Sequence, residues 1–137
     1  MDKYVGDEIV SFFNAPLDDD EHAFHGCVAG IRMLQSEARY NEEHMADLPI
    51  NEKTGKPFLL HSRVGLNTGY MAVGNMGTSD KMNYTVMGNA VNLASRTESS
   101  NKPCGTDMLI TEDTYNLLKM DYIRCPENNF ALRAEKV

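Results

Sequence analysis

The sequence has few cysteines, and those it has are scattered. Cys27, Cys104 and Cys125 lie far apart in the chain of 137 residues and form no CxxC pair. An odd, dispersed set argues against a disulfide framework or a structural zinc site, and it favours reduced thiols. We therefore expect a cytoplasmic protein.

Long apolar runs and a signal-like N-terminus are also lacking. No stretch approaches the roughly 20 apolar residues that a membrane-spanning helix needs. We expect no membrane contact by this chain, and any anchor of a parent protein would lie outside it.

The chain has few basic residues: it contains 13 Lys and Arg and 20 Asp and Glu, which gives a net charge of −7. Such a chain is a poor candidate for binding nucleic acid, which needs clustered cations. Acidity is compatible with a magnesium site, although acidic surfaces mostly serve solubility. The length fits one domain over residues 1–137.

The first half of the chain predicts a hairpin followed by a helix. Two short apolar runs flank Gly6-Asp7 and predict a hairpin over residues 2–14. Apolar residues then recur at three- and four-residue spacing, which predicts an amphipathic helix over roughly 21–40. The polar stretch 41–58 predicts an exposed loop that connects this helix to the next strand.

The second half predicts further strands and helices in alternation. Residues 59–77 show a strand pattern that turns at Gly69 and returns, "MNYTVMG" predicts a strand, and "NAVNLASRTESS" predicts a helix. "DMLI" predicts a strand before a short helix with Thr111 as its N-cap, and two more strands are expected between Tyr122 and Val137. The predicted class is α+β, with helices on one face of a largely antiparallel sheet.

Five polar residues interrupt these apolar elements and form a candidate site. They are Lys3, Asp7, Thr85, Asn92 and Arg96. The last two are four apart and so share one face of the predicted helix. A carboxylate for Mg²⁺ and a guanidinium for phosphoryl oxygens are together suited to a metal-bound polyphosphate. Spacing alone favours the ordinary interpretations: a turn-forming acid, a solvated lysine and a polar helix face.

Three segments carry a resemblance to a known family. "KYVGDEIVSFF", "RVGLNTGYMAVGNMG" and above all "NYTVMGNAVNLASR" resemble the class III nucleotidyl cyclase catalytic domain, the family of adenylyl and guanylyl cyclases, in its bacterial homodimeric form. The resemblance covers about residues 2–125. It implies a ferredoxin-like βαββαβ core with additional elements.

The resemblance also implies a reaction. In this family the 3′-hydroxyl of a nucleoside triphosphate attacks the α-phosphorus, pyrophosphate leaves, and a 3′,5′-cyclic monophosphate forms. Two Mg²⁺ or Mn²⁺ ions, about 3.5–4 Å apart, assist the attack and neutralise the phosphates. The sites lie at a head-to-tail dimer interface, so the resemblance implies a homodimer with shared sites.

Each candidate residue matches a position of the family motif. Asp7 matches one of two metal-binding aspartates, and Lys3 and Thr85 match the positions that recognise the purine. Asn92 and Arg96 match the pair that orients the ribose and stabilises charge at the transferred phosphoryl group.

The residues at the purine positions favour ATP. Lys3 can donate to N1 of adenine, and the Thr85 oxygen can accept from its exocyclic amine. Guanine presents a donor at N1 and an acceptor at O6, and guanylyl cyclases typically carry Glu and a Cys-like residue at these positions. A guanylyl cyclase stays open as an alternative.

Two family features have no match in residues 1–137. One is a first strand of the form "F-x-D-I-x-x-F-T" with the other metal aspartate, followed by helices. The other is a "V-K-G-K" strand with a triphosphate-binding lysine, which "FALRAEKV" approaches at the end of the chain. We therefore expect a domain truncated at both ends. The alternative to an active cyclase is a catalytically silent module that dimerises or binds nucleotide weakly.

Overall fold

The computed structural model describes residues 2–78 and 81–118, without the side chains of residues 78 and 81–83. This part of the chain holds six strands and three helices, and the predicted α+β class is confirmed. In chain order the elements are β1 (Lys3–Val5), β2 (Glu8–Val10), α1 (His22–Glu43), β3 (Val64–Leu66), β4 (Ala72–Thr78), β5 (Lys81–Met87), α2 (Asn89–Cys104), β6 (Met108–Ile110) and α3 (Glu112–Leu117).

The first hairpin forms as predicted. β1 and β2 are antiparallel, with Tyr4 opposite Ile9, and the turn between them consists of Gly6 and Asp7. Gly6 has φ +65°, a left-handed conformation that glycine adopts without steric cost. The turn chemistry in the sequence therefore fixes where the hairpin reverses.

The other strands form two further pairs. β4 and β5 are antiparallel over seven residues each, and β3 pairs with β6 in parallel. The strand that follows Gly69 was predicted to return along β3, but it pairs with β5 instead. Both antiparallel pairs join neighbours in sequence, whereas the connection between the two parallel strands contains β4, β5 and α2. The strands predicted between Tyr122 and Val137 lie outside the described residues.

The parallel pair lies between two helices. Side chains of Val64 and Leu66 approach α1 so closely that a Cβ at Gly30 or Gly26 would lie 3.1 and 3.0 Å from them. Gly65 points the other way, because successive strand residues face opposite sides of a sheet. A Cβ at Gly65 would lie 2.1 Å from the backbone nitrogen of Glu98 in α2. At this strand pair α1 and α2 therefore approach opposite faces, and the missing side chain of Gly65 lets the backbone of α2 lie directly on one of them.

A buried amide fastens the end of α2 to this pair. Asn101 is fully buried; its Nδ2 donates to the carbonyl oxygens of Val64 and Glu98, each at 2.9 Å. Its Oδ1 accepts from the Thr106 hydroxyl at 2.8 Å. Every polar atom of the side chain is thus bonded, which a buried amide requires. The helix then ends at Gly105, whose φ of +65° is typical of a helix C-terminus.

α3 begins as the sequence predicts. The Thr111 hydroxyl oxygen accepts from the backbone N–H of Thr114 and caps the helix. None of the helices in residues 2–78 and 81–118 combines the length and the apolar character needed to cross a membrane.

Candidate active site

Two of the five candidate residues are in direct contact. The Lys3 Nζ, on β1, donates to the Thr85 Oγ1, on β5, at 3.0 Å. Thr85 is 8% exposed, whereas the Lys3 side chain is 41% exposed and reaches solvent. A cation and a hydroxyl that are 82 positions apart in the chain therefore lie side by side.

A third residue, Asp2, joins this contact and was not predicted from the sequence. The Thr85 hydroxyl donates to Asp2 Oδ2 at 2.7 Å, and the Lys3 Nζ lies 3.6 Å from the same oxygen. The Asp2 side chain is only 2% exposed. The sequence gives no local sign of this role. Neighbouring residues of a strand normally face opposite sides, so Asp2 and Lys3 would not be expected to share a partner. Asp2 also precedes β1 rather than lying in it.

Lys3 also lines a groove of about 490 Å³, a volume within the range of about 300–1,000 Å³ that is usual for small-molecule sites. The hairpin, the end of β5 and the start of α2 form its walls. The lining residues are Lys3, Val5, Glu8, Val10, Val86, Met87, Gly88, Asn89, Val91, Asn92 and Ser95. Lys3 and Asn92 thus share one groove, with apolar walls between them.

The start of α2 is fixed by backbone and side-chain contacts. Gly88 precedes the helix with φ +147° and ψ 168°, a conformation that only glycine adopts readily. The Asn67 Nδ2 donates to the carbonyl oxygen of Ala90 at 3.0 Å, and its Oδ1 accepts from the Thr111 hydroxyl at 2.8 Å. Asn67 therefore holds the first turn of α2, which carries Asn92. Sequence reasoning missed Asn67, because its partners are distant in sequence.

Arg96 lies one turn beyond Asn92 on α2 and is exposed. It does not line the groove, although its neighbour Ser95 does. None of the ion pairs found among residues 2–78 and 81–118 involves Arg96. Its guanidinium therefore has no carboxylate partner within this part of the chain that competes for an anionic ligand.

Asp7 is the one acidic residue among the five candidates. It occupies the exposed turn of the first hairpin and does not line the groove. A carboxylate oxygen suits Mg²⁺, but within the described part of the chain no three His, Cys, Asp or Glu side chains cluster as metal ligands. The described residues thus fit one ligand of a metal site and not a complete site.

Two pKa shifts occur near α1, at residues that do not line the groove. A hydrogen bond from His25 lowers the pKa of Asp19, with Asp19 Oδ2 at 2.8 Å from His25 Nδ1. Burial raises the pKa of the Cys27 thiol to about 11. Cys27 is therefore protonated at neutral pH and is not suited to nucleophilic chemistry.

Comparison with known families decides the assignment. The family model described as "Adenylate and Guanylate cyclase catalytic domain" matches residues 3–137, nearly the whole chain. The chain belongs to this cyclase family. The resemblance found in "NYTVMGNAVNLASR" is thereby confirmed.

Individual members of the family are similar over much of the chain. Adenylate cyclase 1 of Rhizobium meliloti (strain 1021) is 34% identical over 78% of this chain and 15% of its own length. Adenylate cyclase of Anabaena cylindrica is 35% identical over 97% of this chain and 24% of its own length. Guanylate cyclase alpha of Plasmodium falciparum (isolate 3D7) is 35% identical over 60% of this chain and 2% of its own length. The chain thus spans less than a quarter of each relative. No solved structure matches it.

Proposed function

We propose that this domain converts ATP to 3′,5′-cyclic AMP and pyrophosphate for cyclic-nucleotide signalling in the cytoplasm. The observation that carries the proposal is the 3.0 Å contact between Lys3 and Thr85 beside a groove that also contains Asn92. Membership of the cyclase family and similarity to two proteins named adenylate cyclases support it.

The Lys3–Thr85 pair favours adenine by its donors and acceptors. An ammonium only donates, so Lys3 suits the N1 acceptor of adenine and not the N1–H of guanine. The Thr85 oxygen can accept from the exocyclic amine of adenine. Apolar groove walls such as Val10 and Val86 suit the faces of a purine ring.

Asn92 and Arg96 act on the rest of the substrate in this proposal. Asn92, on the groove wall, orients the ribose by hydrogen bonds from its amide. Arg96 lies one helical turn further along and meets the phosphoryl oxygens as charge develops on them. The absence of an ion pair to Arg96 among the described residues supports this role.

Two Mg²⁺ or Mn²⁺ ions per complete site belong to the proposal, with Asp7 as one ligand. Such ions supply Lewis-acid stabilisation of the phosphates and activation of the 3′-hydroxyl. Asp7 lies at an exposed turn outside its own groove, which supports a site completed between two copies in a homodimer. Residues beyond the described part would supply the other ligands.

A guanylyl cyclase is the second candidate, since the chain is similar to a protein named guanylate cyclase alpha. It would require the groove to satisfy a donor at N1 of guanine, which Lys3 cannot do. A silent module that only dimerises or binds nucleotide weakly is the third candidate, favoured by the incomplete metal ligand set within residues 2–78 and 81–118.

The test is to assay cyclic AMP and cyclic GMP formation from ATP and GTP, with Mg²⁺ or Mn²⁺. Both the 137-residue chain and the longest polypeptide that carries it should be assayed. We expect cyclic AMP from the longer polypeptide and its loss in Asp7→Asn, with Asp47→Asn as an exposed control. Preferred formation of cyclic GMP would replace the proposal with the second candidate, and no product from either would leave the third.

A further inference from the structure

The buried carboxylate of Asp2 has no role in the function proposed above. It accepts a hydrogen bond from the Thr85 hydroxyl at 2.7 Å and lies 3.6 Å from the Lys3 ammonium. It thus touches both purine-recognising residues while its own side chain is 2% exposed. A structural ion pair at a protein surface would not need such burial.

We propose that Asp2 is a specificity-determining positioning residue, which fixes the hydrogen-bond polarity of Thr85 and the position of Lys3. The proposal rests on the proposed function, in which these two side chains read the base. Asp2 is 2% exposed and does not line the groove, so in this proposal it acts through these two residues and not by contact with the nucleotide.

The bond to Asp2 determines which way the Thr85 hydroxyl donates. A threonine hydroxyl has one hydrogen to donate and two lone pairs. An ionised carboxylate can only accept, so the Thr85 hydrogen points to Asp2. One lone pair accepts from Lys3 at 3.0 Å, which leaves one lone pair without a partner in this contact. Thr85 is 8% exposed and does not line the groove itself, but it lies between Lys3 and Val86, which do. Thr85 therefore presents an acceptor and no donor.

Lys3 is constrained by the same carboxylate. One of its three N–H groups is used by Thr85, and Asp2 attracts the ammonium from the same side. The other two N–H groups make no hydrogen bond to a side chain of the described residues, and Lys3 lines the groove. Asp2 and Thr85 thus hold the lysine at the groove wall and reduce its rotamer freedom before a ligand arrives.

Together the two residues present one fixed donor and one fixed acceptor. This order matches adenine, which has an acceptor at N1 and a donor at its exocyclic amine. Guanine has the reverse order, so both contacts would be unfavourable. If Asp2 could donate, the Thr85 hydrogen would be free to rotate into the groove and bond O6 of guanine. The acid at position 2 therefore excludes guanine at one of the two contacts.

The experiment uses Asp2→Asn, which keeps the volume of the side chain and adds a donor. The substitution is made in the longest polypeptide that carries this domain, both alone and together with Thr85→Val. Asp18→Asn, the same change at an exposed acid, is the control. Two quantities are measured: the ratio of kcat/KM for ATP to that for GTP, and displacement of a fluorescent nucleotide by each of the two.

We expect Asp2→Asn to lower the ATP:GTP ratio about tenfold in both readouts, the size of one hydrogen bond. When Thr85→Val is already present, Asp2→Asn should not lower the ATP:GTP ratio further, because no hydroxyl remains to be oriented. Asp18→Asn should leave the ratio unchanged.

If Asp2→Asn lowered kcat/KM equally for ATP and GTP and also lowered the melting temperature, Asp2 would be only structural and the proposal would be overturned. An unchanged ratio would overturn it as well. If the unaltered polypeptide neither binds nor converts ATP, the proposed function fails, and this inference fails with it. If the unaltered polypeptide prefers ATP and the Asp2→Asn variant has the same ATP:GTP ratio, this inference is refuted and the proposed function stands.

Discussion

The Lys3 ammonium and the Thr85 hydroxyl are joined by a hydrogen bond of 3.0 Å, although 82 positions separate them in the chain. The contact brings the first strand of the described chain against the strand that leads into α2. It therefore links two of the three segments that carry the cyclase resemblance, and it joins Thr85 to Lys3, which lines the groove.

The first prediction concerns the acceptor of this pair. Thr85→Val removes the hydroxyl at nearly constant volume, so kcat/KM for ATP should fall about tenfold. The base contact exists in both ground state and transition state, so KM should rise while kcat changes little. Steady-state kinetics with ATP and GTP measure this. Thr85→Ser keeps the hydroxyl and serves as the control, which should retain most of the activity. A Val variant with unchanged ATP kinetics would remove Thr85 from base recognition.

The second prediction concerns Arg96. Arg96→Ala should lower kcat about 10²–10³-fold and change KM little, because the guanidinium acts on charge that develops in the transition state. Arg96→Lys should recover only part of the rate, because an ammonium lacks the planar fork. Arg39→Ala, an exposed arginine on α1, is the control. An unchanged kcat with a raised KM would instead assign Arg96 to ground-state binding.

The third prediction tests the close approach of α2 to β3. Gly65→Ala would place a Cβ 2.1 Å from the Glu98 nitrogen and 2.5 Å from the Ala94 oxygen, so the helix must shift. We expect the free energy of unfolding to fall by about 1–3 kcal/mol or more, as overpacking does. Urea denaturation measures this. Gly74→Ala meets no atom within 4 Å and should change stability by less than about 1 kcal/mol. Equal stability of the two variants would contradict the packing described.

The fourth prediction concerns the buried amide of Asn101. Asn101→Ala removes three hydrogen bonds and leaves the Val64 carbonyl oxygen without its amide donor. Burial without a partner costs about 1–3 kcal/mol per group, so unfolding should become easier by about that amount or more. Thermal and urea denaturation check this. Asn116→Ala, on the exposed side of α3, should be close to neutral. A stable Asn101 variant would show that the end of α2 is held in another way.

Local elements were predictable from the sequence because short-range chemistry determines them. The helix predicted over roughly 21–40 extends from His22 to Glu43, and Thr111 caps α3 as expected. Gly6 and Asp7 form the hairpin turn. In each case the signal is a spacing or a turn residue within a few positions of the element.

Strand partners were less predictable because pairing depends on residues distant in the chain. β3 pairs in parallel with β6, which is distant in the chain, and Gly65 admits the backbone of α2 against β3. Nothing near Gly65 in the sequence indicates either partner. Of the site, the resemblance supplied Lys3 and Thr85. Their common partner Asp2 was missed, because its role depends on a carboxylate and a hydroxyl 83 positions apart.

The central claim is that this domain makes cyclic AMP and selects ATP through Lys3 and Thr85. The most direct measurement is the ratio of kcat/KM for ATP to that for GTP, determined from cyclic AMP and cyclic GMP formation by the longest polypeptide that carries the domain. We predict a ratio well above one that falls about tenfold in Thr85→Val. A ratio below one, or no cyclic nucleotide from either substrate, would contradict the claim.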